Sequence, residues 1–350
     1  MTSVPSTAVG GAAEHRYARP IAVVAGLCVL LAAAAIALLV TGADARGDAG
    51  ELPGSTAQLL TAIRWPVAAV IAALAAVHYL AAAVAMRAAA GVRTPMRETI
   101  LVQLSAATAN RLTPAGLGGS AVLARYLTRR AGFELSGALG AAFTLSTFGA
   151  LADLIVLILL ASVGGWFGLS GGGAEVATLL HHVGGLLTRF TTPWFAAAAV
   201  IAGGTATAVL LRRRARADRS GRLQRFCRPL VELRRRPRSL VILMTASAGT
   251  TVALGFAFAA SCAVLPGPQP HLSVGGLVIA YMIGAAAAGA VPVPAGIGAT
   301  ETAMTALLVS AQVPAAHALA DVLAFRVVTF WLPAAVGILA TRRLYRTGAL

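Results

Sequence analysis

Two short stretches of this chain combine broken backbone with polar or ionisable side chains, and chemistry in an apolar setting would centre on them. The first is Asn110-Arg111-Leu112-Thr113-Pro114-Ala115-Gly116-Leu117-Gly118-Gly119-Ser120 and the second is Pro294-Ala295-Gly296-Ile297-Gly298-Ala299-Thr300-Glu301. Proline and glycine at this density interrupt a helix and start a new one. The start of a helix presents unpaired N–H groups and the positive end of its dipole, which suits an anion. Candidate substrate-binding residues are therefore Asn110, Arg111, Thr113, Pro114, Gly116, Gly118, Gly119 and Ser120 in the first stretch. Pro294, Gly296, Gly298, Thr300 and Glu301 are their counterparts in the second, joined by Arg326 from the last apolar run. A guanidinium grips phosphate through two parallel hydrogen bonds, which makes Arg111 a phosphate candidate. Glu301 and Arg326 have two readings: an ion pair that fixes the second break, or direct contacts to a phosphate or amino head group. Asp153 and Asp321 lie inside apolar runs, where a charge faces protein or water, and are coupling or structural candidates.

The elements that position these residues are membrane helices. Hydrophobic residues make up 58% of the 350 and charged residues 11%, with a mean hydropathy of +0.81. Soluble domains are about 25% charged, so this chain lacks the polar surface to coat a water-soluble globule. Apolar runs at Ile21–Val40, Val67–Ala85, Gly137–Leu160, Phe195–Leu211, Leu240–Leu265 and Ala318–Ala340 each approach the roughly 20 residues that span a bilayer core. The net charge of +16 is carried without lysine, and 12 arginines fall between Arg212 and Arg238, wedged between two runs. That distribution marks the cytoplasmic side of a membrane protein rather than a nucleic-acid groove. Cys28, Cys227 and Cys262 form no CxxC pair, and His181-His182 has no third ligand near it, so no metal or cofactor is expected. Ala43-Asp-Ala45 loosely fits a cleavage site, but a retained first anchor is the expectation.

Threading by arginine position puts a tail at 1–19 and both termini in the cytoplasm, with 41–63 and 266–273 outside. The expected fold is an all-α polytopic membrane protein with about six full spans and two broken re-entrant hairpins. Glu98–Arg130 carries arginines at both ends and so enters and leaves by the cytoplasmic face. Val274–Pro314 begins and ends outside. Pro114-Ala-Gly-Leu-Gly-Gly-Ser120 matches Pro294-Ala-Gly-Ile-Gly-Ala-Thr300 at an offset of 180 residues (294 less 114). One membrane domain over 20–345 then contains two units of opposite orientation, about 64–163 and 239–341, joined by 164–238. Inverted repeats with broken helices near the midplane are a recurrent transporter plan.

At these residues the chain resembles a known family. Asn110-Arg111-Leu-Thr-Pro114-Ala-Gly-Leu-Gly118-Gly119-Ser-Ala, followed by Arg125-Tyr-Leu and Gly132, is similar to the first signature of the lysylphosphatidylglycerol synthase membrane-region family. Pro294-Ala-Gly296-Ile-Gly298-Ala-Thr-Glu301, with Arg326, Phe330-Trp331-Leu-Pro333 and Gly337, is similar to its second, and the likeness covers roughly 20–345. The chain departs from the pattern at Ala295-Gly296, where two glycines are usual. It has Gly119-Ser120 where many members carry an acidic residue. It also has Asp153 alone where an acidic-basic pair is common. The resemblance implies a multi-pass protein of the bacterial plasma membrane, related to the flippase part of the multiple peptide resistance factor. It implies a transporter-like protein handling a polar, anionic or zwitterionic lipid. The soluble aminoacyl-transferase domain of fused members is not expected here, and neither is its enzyme activity. Membrane lipids are the expected partners and nucleic acid is not; a homo-oligomer or cell-envelope partner proteins fit the same reading. The alternative is a membrane enzyme or accessory subunit in lipid-linked glycan or cell-envelope assembly, although no DxD, HxxxH or Ser-His-Asp arrangement stands out.

Overall fold

The computed structural model describes residues 61–113, 117–166, 221–289 and 297–350. The first apolar run Ile21–Val40, the run Pro193–Leu211 and His181-His182 lie outside them. Among the described residues every regular element is helical.

Helix α1, Trp65–Ala90, begins with a proline in its first turn and ends at Gly91, whose φ of 66° only glycine adopts without strain. The chain then forms a hairpin of α2, Met96–Leu112, and α3, Leu117–Ala131. These rise only about 25 and 22 Å at 1.5 Å per residue, short of a full crossing of about 30 Å. Helix α4, Leu135–Trp166, follows. The same order recurs in the second half. Helix α6, Pro237–Ser261, precedes a hairpin of α7, Val274–Gly289, and α8, Ala299–Ser310. The last segment is α9, Ala315–Arg326, a π-helical turn at Val327–Trp331, and α10, Leu332–Arg346. Among the described residues, four segments are long and apolar enough to cross a membrane: Trp65–Ala90, Leu135–Leu160, Pro237–Ser261 and Ala315–Arg346.

The hairpins open on opposite faces. Arg130 of α3 binds Glu98 of α2 at 2.5 Å and closes the open end of the first on the arginine-rich face. The C-terminus returns to that face, where Leu344 and Leu350 are buried with Val102, Leu127 and Ala138. The second hairpin closes at the other face, where the His271 N–H donates to the Ala311 carbonyl at 3.0 Å. On that face the Arg64 N–H also donates to the Val264 carbonyl at 2.9 Å, joining the start of α1 to the end of α6. Between the faces, Ile71 and Leu74 of α1 pack with Phe258 of α6, Leu308 of α8 and Val322 of α9.

Two features differ from the sequence reading. The arginine-rich stretch is not all loop: Arg222–Arg234 forms α5, with Pro229 inside it. It lies across the start of α4, where Arg225 pairs with Glu134 at 2.9 Å and the rings of Phe226 and Phe143 meet at 5.6 Å. Gly140 makes this approach possible, because a Cβ there would run into the Phe226 carbonyl. An amphipathic surface helix of thirteen residues gives a short, arginine-dominated pattern that charge counting reads as loop. The last span is also longer than Ala318–Ala340 and is not uniform, since its middle widens into the π turn.

The arrangement of faces predicts an accessibility pattern. In a chain whose Cys28, Cys227 and Cys262 are replaced by serine, Arg129→Cys and Arg346→Cys should react with an impermeant maleimide from one side of the membrane. His271→Cys should react only from the other side. Labelling of all three from one side would rule out hairpins of opposite sense.

Candidate functional site

Residues beside the two breaks, Arg111 of α2 and Glu301 of α8, converge on Phe330 and Arg326 in the middle of the last membrane segment. At the second tip, Gly298 takes a φ of 84° and α8 begins at the next residue. Glu301, in the first turn, folds back so that one carboxylate oxygen accepts the Gly298 N–H at 2.7 Å. This is the reaching-back half of a capping box. The other oxygen accepts from Arg326 Nε at 2.7 Å, with the two side chains only 15% and 9% exposed. Of the two readings of this pair, the ion pair is the one in place. Arg326 Nη2, on the far edge of the guanidinium, is buried without a hydrogen-bond partner among the described residues.

The first tip uses neutral side chains for the same task. Thr113 Oγ1 accepts the Gly118 N–H at 2.8 Å and donates to the Ala109 carbonyl at 3.0 Å. Asn110 Oδ1 accepts the Gly119 N–H at 2.5 Å. Glycine is required here for space. A Cβ on Gly118 would meet the Ala109 carbonyl and Thr113 Oγ1, and one on Gly119 would meet the Asn110 amide. Gly298 differs: nothing lies within 4 Å of the place for its Cβ, and only its positive φ demands glycine. Thr113, Asn110 and Glu301 thus accept the N–H groups of Gly118, Gly119 and Gly298 in turn.

Two guanidinium groups flank the breaks. Arg111, the penultimate residue of α2, places its guanidinium carbon 4.1 Å from the centroid of the Phe330 ring. Arg326 places its own 3.7 Å from the same centroid. Both distances are well inside the range of a cation–π contact. Among the described residues, Arg111 Nε and Nη1 are buried without hydrogen-bond partners, as is Arg326 Nη2. Tyr79 of α1 also approaches Arg111. Phe330 lies in the π turn, a feature often found where a helix is locally reshaped for function.

The other candidates take different places. Thr300 is buried in the first turn of α8, and Ser120 is half-buried in the first turn of α3. Asp153 accepts the Thr251 hydroxyl and ties α4 to α6. Asp321 is buried on α9 beside Cys262, between Arg326 and the face on which the second hairpin opens. Pro114, Gly116, Pro294 and Gly296 lie outside the described residues. Phe330 was visible in sequence only as part of a motif. Its contact with Arg111 joins residues from opposite halves of the chain, and no periodicity encodes that.

Helix α10 reaches the first hairpin closely. Gly337 lets it approach α2, because a Cβ there would collide with Thr108 Oγ1 and the Leu104 carbonyl. Thr108 Oγ1 donates across the interface to the Ala334 carbonyl at 3.2 Å. Such small-residue contacts are how membrane helices pack without a hydrophobic force between them.

A model of the family described as lysylphosphatidylglycerol synthase TM region matches residues 21–337. A search of curated proteins matches none.

The Glu301–Arg326 pair predicts energetic coupling. Glu301→Gln and Arg326→Gln should each destabilise the purified protein by about 3–5 kcal/mol, since each strands a buried partner. The double variant should recover much of that loss in thermal unfolding. Additive losses would mean that the pair does not act as a unit. Gly298→Ala should cost about 1–2 kcal/mol through its backbone conformation alone. Unchanged stability in that variant would show that the turn relaxes freely.

Proposed function

The chain belongs to the lysylphosphatidylglycerol synthase TM region family, and on that premise we propose that it is a transporter-like protein that moves a polar phospholipid between leaflets. The head group it handles is anionic or zwitterionic and carries a phosphate. The observation that supports this most is the pair of guanidinium groups over Phe330, where Arg111 Nε and Nη1 and Arg326 Nη2 are buried without a hydrogen-bond partner among the described residues. A charged side chain at mid-membrane is held there against a cost of at least about 2.5–3.5 kcal/mol. Glu301 offsets one of these two charges, and an incoming phosphate would offset the other.

The chemistry matches the geometry. Phosphate accepts hydrogen bonds from guanidinium edges, and such charge-assisted bonds are about twice as strong as neutral ones. Arg111 offers Nε and Nη1, and Arg326 offers Nη2 while its Nε stays on Glu301. The side chains that meet here bind and place charge; they form no nucleophile–base pair. We therefore read the site as one that carries a head group rather than one that reacts with it. The hairpins supply a route to alternating access. One opens toward each face, and both bear on the Arg326–Phe330 segment. A shift of either hairpin would expose the guanidinium edges to its own side. By the positive-inside rule the arginine-rich face is cytoplasmic, which puts the C-terminus there, in a bacterial plasma membrane.

Proteoliposomes containing fluorescent short-chain phosphatidylglycerol provide the test. The protein should speed the loss of inner-leaflet fluorescence to an external quencher above the rate of protein-free vesicles. Arg111→Gln should slow it roughly tenfold or more, matching the loss of about 1.5–3 kcal/mol of charge-assisted hydrogen bonding, with thermal stability unchanged. A wild-type rate equal to that of empty vesicles would sink the transport reading. A fully active Arg111→Gln protein would remove Arg111 from the site.

A further inference from the structure

The arginine-rich face carries a second basic concavity, well away from the hairpin tips. A cavity of about 150 Å³ lies between the end of α1 and the start of α6, and Arg87, Gly91, Arg93, Arg236, Ser239 and Ile242 line it. Three guanidinium groups therefore border one small volume. Arg87 closes α1 and reaches Met96 Sδ at 3.9 Å. Arg93 follows from the connection to α2 and is exposed. Arg236 crosses from the start of α6 and lies directly over Gly91, where a Cβ would sit 2.7 Å from its Nη1.

Part of this arrangement serves the fold, because cations beside the carbonyl end of α1 complement its dipole. That role does not by itself explain why Arg93 and Arg236 face one hollow. Among the described residues, Glu98 pairs with Arg130 at 2.5 Å, Glu134 with Arg225 at 2.9 Å and Glu232 with Arg228 at 2.6 Å. Glu232 approaches Arg236 only at 3.9 Å, with its second oxygen. Like charges that converge in this way repel, and a polyvalent oxyanion relieves the repulsion through several charge-assisted hydrogen bonds at once. At about 30 Å³ of liquid volume per water, the cavity holds a phosphate group with part of its hydration.

We propose that this cavity is a phosphate-binding site, separate from the hairpin tips, in which Arg93 and Arg236 grip the phosphate and Ser239 donates to it. It draws its phosphate either from a phospholipid head group of the adjoining leaflet or from solution. Occupancy would tie the end of α1 to the start of α6, two helices that pack against each other. The site does not depend on the transport reading, and its ligand is not the transported head group.

The test uses the purified full chain and two probes, phosphatidylglycerol doped into neutral-detergent micelles and inorganic phosphate. Bound lipid is counted by native mass spectrometry, and thermal stability is followed against each probe. Arg93→Gln and Arg236→Gln should weaken binding roughly tenfold or more, as expected when one charge-assisted fork is lost. Arg129→Gln, an exposed arginine on the same face outside the cavity, should bind as the wild type does. Stabilisation by phosphatidylglycerol alone identifies a lipid site. Equal stabilisation by inorganic phosphate identifies a small-anion site. Gly91→Ala provides a second check, since its Cβ displaces the Arg236 guanidinium and should also weaken binding. Binding undiminished in both Arg93→Gln and Arg236→Gln, or an equal loss in Arg129→Gln, would overturn the proposal and leave only a diffuse basic surface.

Discussion

The carboxylate of Glu301 holds two parts of this fold at once. One oxygen closes the backbone where α8 begins, and the other holds Arg326 in the middle of the last membrane segment. Without it, the Gly298 N–H and the guanidinium would both be left without this partner in a poorly solvated place. Either loss is expensive, because an unpaired buried group keeps its full desolvation penalty. Much else follows from this contact. It fixes the depth of the second hairpin, sets the orientation of Arg326, and thereby decides which guanidinium edge remains available. It also accounts for an ionisable pair in a chain that is otherwise sparing with charge.

The two hairpins meet one constraint with different chemistry. Backbone broken inside a membrane must find internal partners. The first hairpin uses the Asn110 amide and Thr113 hydroxyl, which are neutral; the second uses a carboxylate with a counter-ion. The consequence is an electrical asymmetry. Arg111 stands beside neutral caps and brings a whole positive charge to Phe330, whereas Arg326 arrives half-neutralised by Glu301. The ring between them offers its electron-rich face, which softens their repulsion without using their hydrogen-bond donors. The donors therefore stay available while the charges are held near each other.

Arginine does two distinct things in this protein. On one face it forms ion pairs that tie connecting segments together, as Arg130 does with Glu98 and Arg225 with Glu134. Helix α5 extends this layer and packs on the start of α4 through Phe226 and Gly140. Beside the breaks Arg326 is buried and Arg111 half-buried, against the Phe330 ring. The difference is set by depth, because screening by water makes exposed pairs weak and buried ones consequential.

The amino-acid sequence by itself determined the class of fold, because composition and run length leave no other way to bury so much apolar surface. It determined the two hairpins too: short pieces with arginines at both ends, or at neither, cannot cross a bilayer, and the matched Pro-Ala-Gly-x-Gly segments mark where each turns back. Glu301 and Arg326 were legible as partners because two opposite charges in apolar runs have few alternatives. Tertiary structure alone decided the rest. That Asn110 and Thr113 cap backbone depends on the fold-back of α3 onto α2, which sequence spacing does not specify. That Gly118 is glycine for space and Gly298 for its φ of 84° emerges only once neighbouring atoms are placed. The position of Phe330 beneath two arginines rests on a π turn and on contacts between opposite halves of the chain. Such contacts arise from packing rather than local propensity, and no pattern along the chain carries them.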